Sequence, residues 1–230
     1  MRVEETEIAG VPALVIGEKT EGSYLFIHGK MGCKEEALAF AEVANPRGYQ
    51  VIGIDLPGHG SRRAAGAELL PWIAVPEILR VFREIQARAS NISLRANSIG
   101  AWLAMMALQK ENIRRALLVS PVVDMESLIR GQMSDAGVTE GELRERKNIP
   151  LPAGDPLSWE YLTWVRAHPF LWGAPTSILI AAQDAVTPRA VTEAFSARIG
   201  CALTVMENGE HWFHTEEQLR VLREWEAASL

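Results

Sequence analysis

The sequence predicts an α/β fold, with a mainly parallel, twisted sheet and helices on both faces. Short, near-continuously apolar runs alternate with longer segments whose apolar residues recur at helical spacing. This alternation is typical of a parallel sheet covered on both faces. The chain has 230 residues, of which 48% are hydrophobic, so it is long enough to bury a sizeable core. We therefore expect a single α/β domain over residues 1–230.

The apolar runs give the order of the predicted strands, each bounded by turn-forming or polar residues. The predicted strands are 12–17, 23–29, 49–60 (which runs into a Gly/Pro loop), 92–98, 115–123, 176–184 and 202–211. The predicted helices between and after them are 34–48, 75–90, 99–110, 188–200 and 215–230. The first helix is expected to stop at residues 46–48, where Pro and Gly occur, and Thr215 is a candidate N-cap of the last.

Residues 124–174 interrupt this alternation with short helical pieces and Gly/Pro loops. They also carry Trp159, Trp164 and Trp172. A long insertion at the carboxyl edge of a sheet usually carries function, so we interpret this segment as a lid. The alternative is a helical excursion that packs on the sheet and has no role in function.

Composition and charge narrow the classes of partner. The formal net charge is −6, with no basic run, which argues against nucleic acid. No segment approaches the roughly 18 apolar residues that a membrane span needs, and the charged start resembles no targeting signal. Cys33 and Cys201 lie far apart in sequence, as reduced thiols of a cytoplasmic protein would. No spacing indicates a metal site, a phosphate loop or a dinucleotide-binding motif, so we expect no cofactor.

Polar residues follow the predicted strands at the edge where ligands bind in such sheets. They are residues 28–30, Asp55, Ser98, residues 120–124, Asp184 and His211. A serine, then an acid, then a histidine is the chain order of one known layout for nucleophilic catalysis.

Ser98 stands between a predicted strand and a predicted helix, with Ala96 two residues before it and Gly100 two residues after it. Small residues on both sides are what a tight turn requires when it brings neighbouring backbone close. One interpretation is a serine that caps the helix. The other is a nucleophile exposed at the apex of the turn, which the remaining motifs favour.

Five motifs in order resemble the α/β-hydrolase superfamily across nearly the whole chain. They are HGKMG (28–32), DLPGHGSR (55–62), ANSIG (96–100), AAQDAVTP (181–188) and NGEHWF (208–213). The resemblance implies the α/β-hydrolase fold, with residues 124–174 at the position where many members insert a lid. The chain departs from the usual pattern at Ala96, where a glycine is more common, and at Lys30, where many relatives have an apolar residue.

The resemblance also implies a role for each motif residue. Ser98 would be the nucleophile, His211 the base and Asp184 the acid that orients the histidine. An imidazole suits the base because its ordinary pKa of about 6.5 lies near working pH. His214 competes with His211, and Asp124 competes with Asp184, because some relatives place the acid after the preceding strand.

Two backbone N–H groups are expected to hold the oxyanion, those of Ile99 and Lys30. Candidate residues of the substrate pocket are His28, Trp159 and Trp164.

These residues predict a serine hydrolase acting on carboxylic esters of small or medium, or aryl, acyl groups. The expected partner is a small-molecule substrate; an additional homodimer contact is compatible with the sequence, although no pattern indicates it. A peptidase, a thioesterase or a carbon–carbon-bond hydrolase with the same three residues is an alternative. A member of the fold that binds a ligand without catalysis is another.

Overall fold

The computed structural model describes residues 1–66 and 68–230, in which helices and strands alternate. Within this part of the chain there are two compact units: Met1–Val123 together with Trp172–Leu230, and Asp124–Leu171.

The first unit contains one sheet and its helices. Its strands are β1 (Val3–Ile8), β2 (Val11–Ile16), β3 (Gly22–Ile27), β4 (Tyr49–Ile54), β5 (Asn91–Asn97), β6 (Ala116–Val119), β9 (Thr176–Ala181) and β10 (Ala202–Met206). Its helices are α1 (Ala37–Ala44), α2 (Pro71–Gln86), α3 (Ser98–Leu108), α7 (Arg189–Ile199) and α8 (Glu216–Ser229).

The sheet has the strand order β1-β2-β4-β3-β5-β6-β9-β10. β2 pairs antiparallel with β1 and β4, and the other neighbours are parallel. The predicted mainly parallel sheet is thus confirmed. From β3 the chain moves to one side, to β4, and then crosses back to β5 on the other side of β3. Ligands of open α/β sheets bind at such a switch point, and the carboxyl ends of β3 and β5 meet there.

Different helices cover the two faces of the sheet. Tyr24 and Phe26 pack in one apolar cluster with Phe40 of α1 and Trp225 of α8. Side chains alternate along a strand, so Ile27 points to the opposite face. There α3 packs so closely that a Cβ on Gly100 would lie 3.0 Å from Cγ2 of Ile27. Both faces of the central strands are therefore buried, which explains their continuously apolar sequences.

The second unit consists of α4 (Met125–Asp135), α5 (Glu140–Arg146), the two-residue strands β7 (Asn148–Ile149) and β8 (Leu157–Ser158), and α6 (Trp159–Ala167). Arg166 of α6 is bound to Glu126 of α4 and to Glu140 of α5, with nitrogen–oxygen distances of 2.8 Å for each partner. One guanidinium therefore joins the unit's three helices.

β1 and α2 are among the elements that differ from the prediction. β1 was not expected, and five of its six residues are exposed. Its pairing with β2 uses backbone groups, so its side chains carry no apolar alternation that a sequence could show. α2 begins at Pro71 rather than near residue 75, because Pro71 is at the first helical turn, where a missing N–H is harmless. Pro76 then lies inside the helix.

Candidate active site

Ser98 lies at the turn between β5 and α3 with a backbone φ of +48°. That region is unfavourable for residues with a side chain, and such strain is concentrated at functional sites. The residues two positions before and two positions after the serine are both buried. Ala96 is fully buried, and a Cβ on Gly100 would lie 2.1 Å from the carbonyl oxygen of His28. A glycine at position 100 is therefore obligatory for this turn.

Ser98, His211 and Asp184 form one continuous chain of hydrogen bonds. Oγ of Ser98 is 2.8 Å from Nε2 of His211, and Nδ1 of His211 is 2.7 Å from Oδ2 of Asp184. They come from three separate loops that follow β5, β9 and β10. Parallel strands bring these loops to the same edge of the sheet, although 113 residues separate the serine from the histidine.

The carboxylate of Asp184 is held by its own loop. Oδ1 accepts from the backbone N–H groups of Val186 and Thr187, both at 2.8 Å, and Oδ2 also accepts from the Thr187 hydroxyl at 2.6 Å. Burial by itself would raise the pKa of Asp184, but the hydrogen bonds from His211 and Thr187 outweigh it, so that the pKa is lowered. The carboxylate is therefore ionised and accepts the Nδ1 proton of His211.

The competing residues are placed elsewhere. Asp124 is exposed and caps the N-terminus of α4, where its side chain accepts from the N–H of Ser127 at 2.9 Å. His214 is exposed, and its Nδ1 is 2.8 Å from the carbonyl oxygen of Trp212. The structure thus brings Asp184 and His211, and neither competitor, into the hydrogen-bonded chain with Ser98.

The loop after β3 runs beside the serine. A Cβ on Gly29 would lie 3.3 Å from Cβ of Ser98, so the backbone that leads into Lys30 passes close to the turn. Ile99 is the second residue of α3, and N–H groups in the first turn of a helix have no partner four residues back. The two N–H groups expected to bind an oxyanion thus belong to segments that meet at Ser98.

His28 is fully buried directly before this loop. Its Nε2 accepts from the N–H of Leu56 at 3.0 Å, and its Nδ1 donates to the carbonyl oxygen of Gly29 at 2.7 Å. Burial lowers its pKa to about 4, so the ring is neutral. Both ring nitrogens bind backbone, so His28 joins two loops and has no exposed ring atom for a substrate.

Asp55 fixes the second of these loops. Its fully buried carboxylate accepts from the backbone N–H groups of Lys34 and Ser61 at 2.8 and 3.0 Å, and from the Ser61 hydroxyl at 2.8 Å. Nδ1 of His59 is 2.8 Å from the carbonyl oxygen of Pro57. The DLPGHGSR motif is therefore a hydrogen-bonded loop built around Asp55.

Exposed apolar side chains come shortly after three of the candidate site residues in the sequence. Met31, Val186 and Trp212 are 77%, 42% and 75% exposed, and they stand one or two residues after Lys30, Asp184 and His211. The Trp212 ring stacks on that of His214, with centroids 5.3 Å apart. The pocket candidates Trp159 and Trp164 are half-buried residues of α6, and Trp164 stacks on His168 at 4.1 Å.

Residues 1–66 and 68–230 contain no group of three or more His, Cys, Asp or Glu side chains arranged to hold a metal ion. Within the same ranges, no helix is long and apolar enough to cross a membrane. A cavity of about 610 Å³, lined by residues 19–21 and 86–90, lies where β3 and β5 begin, at the edge opposite Ser98.

Comparison with known proteins supports the fold. Residues 24–224 match the model of the alpha/beta hydrolase family. The chain belongs to this family. No curated protein sequence matches it.

Several solved structures of alpha/beta hydrolase type have a similar fold. Est1E from Butyrivibrio proteoclasticus, solved with ferulic acid bound, is 19% identical with a TM-score of 0.79, over 98% of this chain and 96% of that one. Alpha/beta hydrolase domain-containing protein 10 from mouse is 15% identical with a TM-score of 0.75, over 98% and 96%. A monoacylglycerol lipase from Paleococcus ferrophilus is 16% identical with a TM-score of 0.65, over 100% of both chains. At these identities the likeness concerns the fold.

The sequence reasoning missed a buried charge in the middle of β5. Arg95 lies two residues before Asn97 and is 2% exposed. It forms an ion pair with Glu226 of α8. The one available signal was a charged residue inside an otherwise apolar run, NISLRAN, immediately before the serine.

Proposed function

We propose that this alpha/beta hydrolase is a serine hydrolase that cleaves carboxylic esters through an acyl-enzyme on Ser98. The observation that carries the proposal is the hydrogen-bonded chain from Ser98 through His211 to Asp184, with distances of 2.8 and 2.7 Å. A serine hydroxyl is a weak nucleophile unless a neighbouring base accepts its proton, and the position of His211 Nε2 beside Oγ supports that role for His211.

In the acylation step, Oγ of Ser98 forms a bond to the ester carbonyl carbon while Nε2 of His211 takes the hydroxyl proton. The carbonyl oxygen becomes an oxyanion, which the N–H groups of Ile99 and Lys30 stabilise. Loss of one such donor lowers kcat by about 10²–10³-fold in other serine hydrolases. The bond to the leaving oxygen then breaks, and His211 protonates the departing alcohol.

In the deacylation step, water attacks the acyl carbon and His211 takes its proton. The bond from the acyl carbon to Oγ breaks, and the proton returns to Ser98 as the carboxylic acid leaves. Asp184 keeps the Nδ1 proton in place throughout and stabilises the imidazolium that forms twice in each turnover.

An aryl or medium-length acyl group is the proposed substrate class. Exposed apolar side chains beside the site, Trp212 above all, support an apolar substrate. The ferulic acid bound to Est1E, an aromatic acid on a protein of the same fold, supports an aryl acyl group. We further propose that residues 124–174 act as a lid, with Trp159 and Trp164 as substrate contacts. This role rests on the position of the insertion in the chain, between β6 and β9.

Labelling with a fluorophosphonate probe, followed by intact mass and peptide mapping, tests the proposal. We expect one adduct per chain, located on Ser98, and no adduct on Ser98→Ala. Ser120→Ala is the matched control, because Ser120 is also a serine at a strand end with a positive φ, +43°. Ser120 is buried, whereas Ser98 is partly exposed. Among the described residues the Ser120 hydroxyl has no hydrogen-bond partner, so we expect this variant to label like the wild type.

A folded wild type that takes no label, or a Ser98→Ala variant that still hydrolyses esters, would contradict the proposal. With labelling established, a panel of matched ester, thioester and amide substrates identifies the bond. The ester is expected to have the highest kcat/KM, and a preference for thioester or amide would move the assignment to the corresponding alternative.

A further inference from the structure

A buried ion pair joins the nucleophile strand to the last helix. Nε of Arg95 in β5 donates to Oε1 of Glu226 in α8 at 2.8 Å, and the two side chains are 2% and 3% exposed. The guanidinium also lies over the rings of Phe26 and Phe40, 5.5 and 5.8 Å from their centroids. A buried ion pair is weak evidence for stability, because removing two charges from water offsets most of their attraction. Its role is better sought in what else the guanidinium contacts.

The same guanidinium also binds Asn97, the residue that precedes the serine. Nη1 of Arg95 donates to Oδ1 of Asn97 at 2.5 Å and to the carbonyl oxygen of Ala96 at 3.2 Å. At the other end of the same amide, Nδ2 of Asn97 donates to Oε2 of Glu36 at 3.3 Å. The Asn97 side chain is therefore held at both ends.

Asn97 is the N-cap residue of α3, yet its side chain makes no capping hydrogen bond. Asparagine is among the residues that cap helices most readily. Helices α4, α5, α6 and α8 begin after a residue whose side chain does accept from a first-turn N–H; those residues are Asp124, Thr139, Ser158 and Thr215. At α3 a suitable cap is present but is bound to Arg95 instead.

A capping Asn97 would accept from the second or third N–H of the helix, which are those of Ile99 and Gly100. The first of these is the proposed oxyanion donor. A side-chain carbonyl bound there would compete with the oxyanion for the same hydrogen.

We propose that Arg95, oriented by Glu226, is a positioning residue that keeps the Asn97 carbonyl away from the N–H of Ile99. This inference rests on the proposed function, because it gives that N–H its role in catalysis. It also assigns a task to α8, which holds Glu226 against the nucleophile strand from 131 residues further along the chain.

Two variants release Asn97 in different ways. Arg95→Lys keeps the positive charge for Glu226 but loses the planar fork that reaches two acceptors at once. Arg95→Met with Glu226→Leu removes both charges, so that neither is left buried without its partner. In each we expect the rate of fluorophosphonate labelling and kcat to fall about tenfold, less than the 10²–10³-fold for complete loss of a donor, with KM little changed.

The decisive step adds Asn97→Ala to each variant. With the competing carbonyl gone, the labelling rate is expected to recover most of the loss. A purely structural role for the ion pair predicts no recovery, because Asn97→Ala adds no contact that could repair the packing. If one background does not fold, the other still gives the comparison.

Arg115→Lys is the matched control. Arg115 also ties the sheet to the end of α8, since its Nη1 donates to the carbonyl oxygens of Ser229 and Leu230. Among the described residues, the side-chain hydrogen bonds of Asn97 are to Arg95 and Glu36 and not to Arg115. We therefore expect Arg115→Lys to lower the melting temperature and to leave the labelling rate unchanged. A wild type that is not labelled would refute the proposed function. Two results with a labelled wild type would overturn this inference alone. In the first, the Arg95 variants are labelled as fast as the wild type. In the second, Asn97→Ala does not restore the labelling rate of those variants.

Discussion

Asp184 and His211 are joined by a hydrogen bond of 2.7 Å in which the carboxylate is 1% exposed and the imidazole side chain 22% exposed. The ionised, buried carboxylate fixes the imidazole proton on Nδ1. Nε2 is then an acceptor, and it faces the hydroxyl of Ser98 at 2.8 Å. One buried acid thus determines which nitrogen of the partly exposed ring is available to the serine.

Exchange of this acid for its amide tests that relationship. Asp184→Asn presents an N–H where the ring needs an acceptor, which favours the wrong imidazole tautomer. We expect kcat to fall by about 10⁴-fold, as for the same change in other serine hydrolases. Asp124→Asn is the control: asparagine caps a helix as well as aspartate does, so kcat and the melting temperature should not change. A large loss of kcat in Asp124→Asn would instead identify that residue as the acid.

We expect replacement by alanine to have opposite effects on stability at Gly100 and at Gly131. Gly100→Ala places a methyl group 2.1 Å from the backbone oxygen of His28, so we expect the free energy of unfolding to fall by at least about 3 kcal/mol. Around Gly131 in α4, a Cβ meets nothing within 4 Å. Gly131→Ala should raise helix stability by about 0.5–1 kcal/mol. Urea unfolding of the two variants checks both signs, and equal effects would contradict the close packing at the Ser98 turn.

Because the ring of His28 is buried and neutral, we expect the protein to lose stability in mild acid. Burial lowers its pKa to about 4 in the folded chain, against about 6.5 when unfolded. Between these pH values the unfolded chain binds a proton that the folded chain does not. The neutral ring therefore makes its full contribution to the free energy of unfolding above about pH 6.5. That contribution decreases by about 3 kcal/mol as the pH drops towards 4.

His28→Gln isolates this contribution, because an amide offers both a donor and an acceptor but does not titrate. Urea unfolding at pH 7 and at pH 4.5 should show a smaller decrease in the free energy of unfolding for the variant than for the wild type. Parallel pH profiles would mean that His28 is not the group responsible.

We expect the exposed ring of Trp212 to favour substrates with an aryl acyl group. Its ring is 75% exposed and stacks on His214, directly after His211. If it contacts an aryl acyl group, Trp212→Ala should lower the ratio of kcat/KM for a methyl hydroxycinnamate to that for a short-chain methyl ester by about 2–10-fold. Trp212→Phe should retain most of the preference. An unchanged ratio in Trp212→Ala, with a lowered ratio in Trp164→Ala, would assign the aromatic contact to α6 instead.

The strand–turn–helix segment around Ser98 could be predicted because its requirements are local. The serine has a positive φ, backbone lies close to Gly100, and Ala96 is fully buried, so small residues suit both positions and are visible in the sequence. The loops with Asp184 and His211 could be predicted for a related reason, since each follows directly on a strand of the same parallel sheet. The choice between Asp184 and Asp124 was harder, because both follow apolar strands.

The N-terminal hairpin and the Arg95–Glu226 pair could not be predicted in this way. β1 is an edge strand with mostly exposed side chains, so burial leaves no pattern in its sequence. The partner of Arg95 is 131 residues away, and no periodicity links a residue of β5 to one of α8.

The sequence by itself determined the alternation of strands and helices, the turn at Ser98 and the order of serine, acid and histidine, because each of these depends on neighbouring residues. The tertiary structure decided which acid reaches His211, that His28 is a buried link between two loops, and that Asn97 is turned away from its helix. These outcomes depend on distances between residues far apart in the chain, and those distances are fixed only when the sheet and its helices pack together.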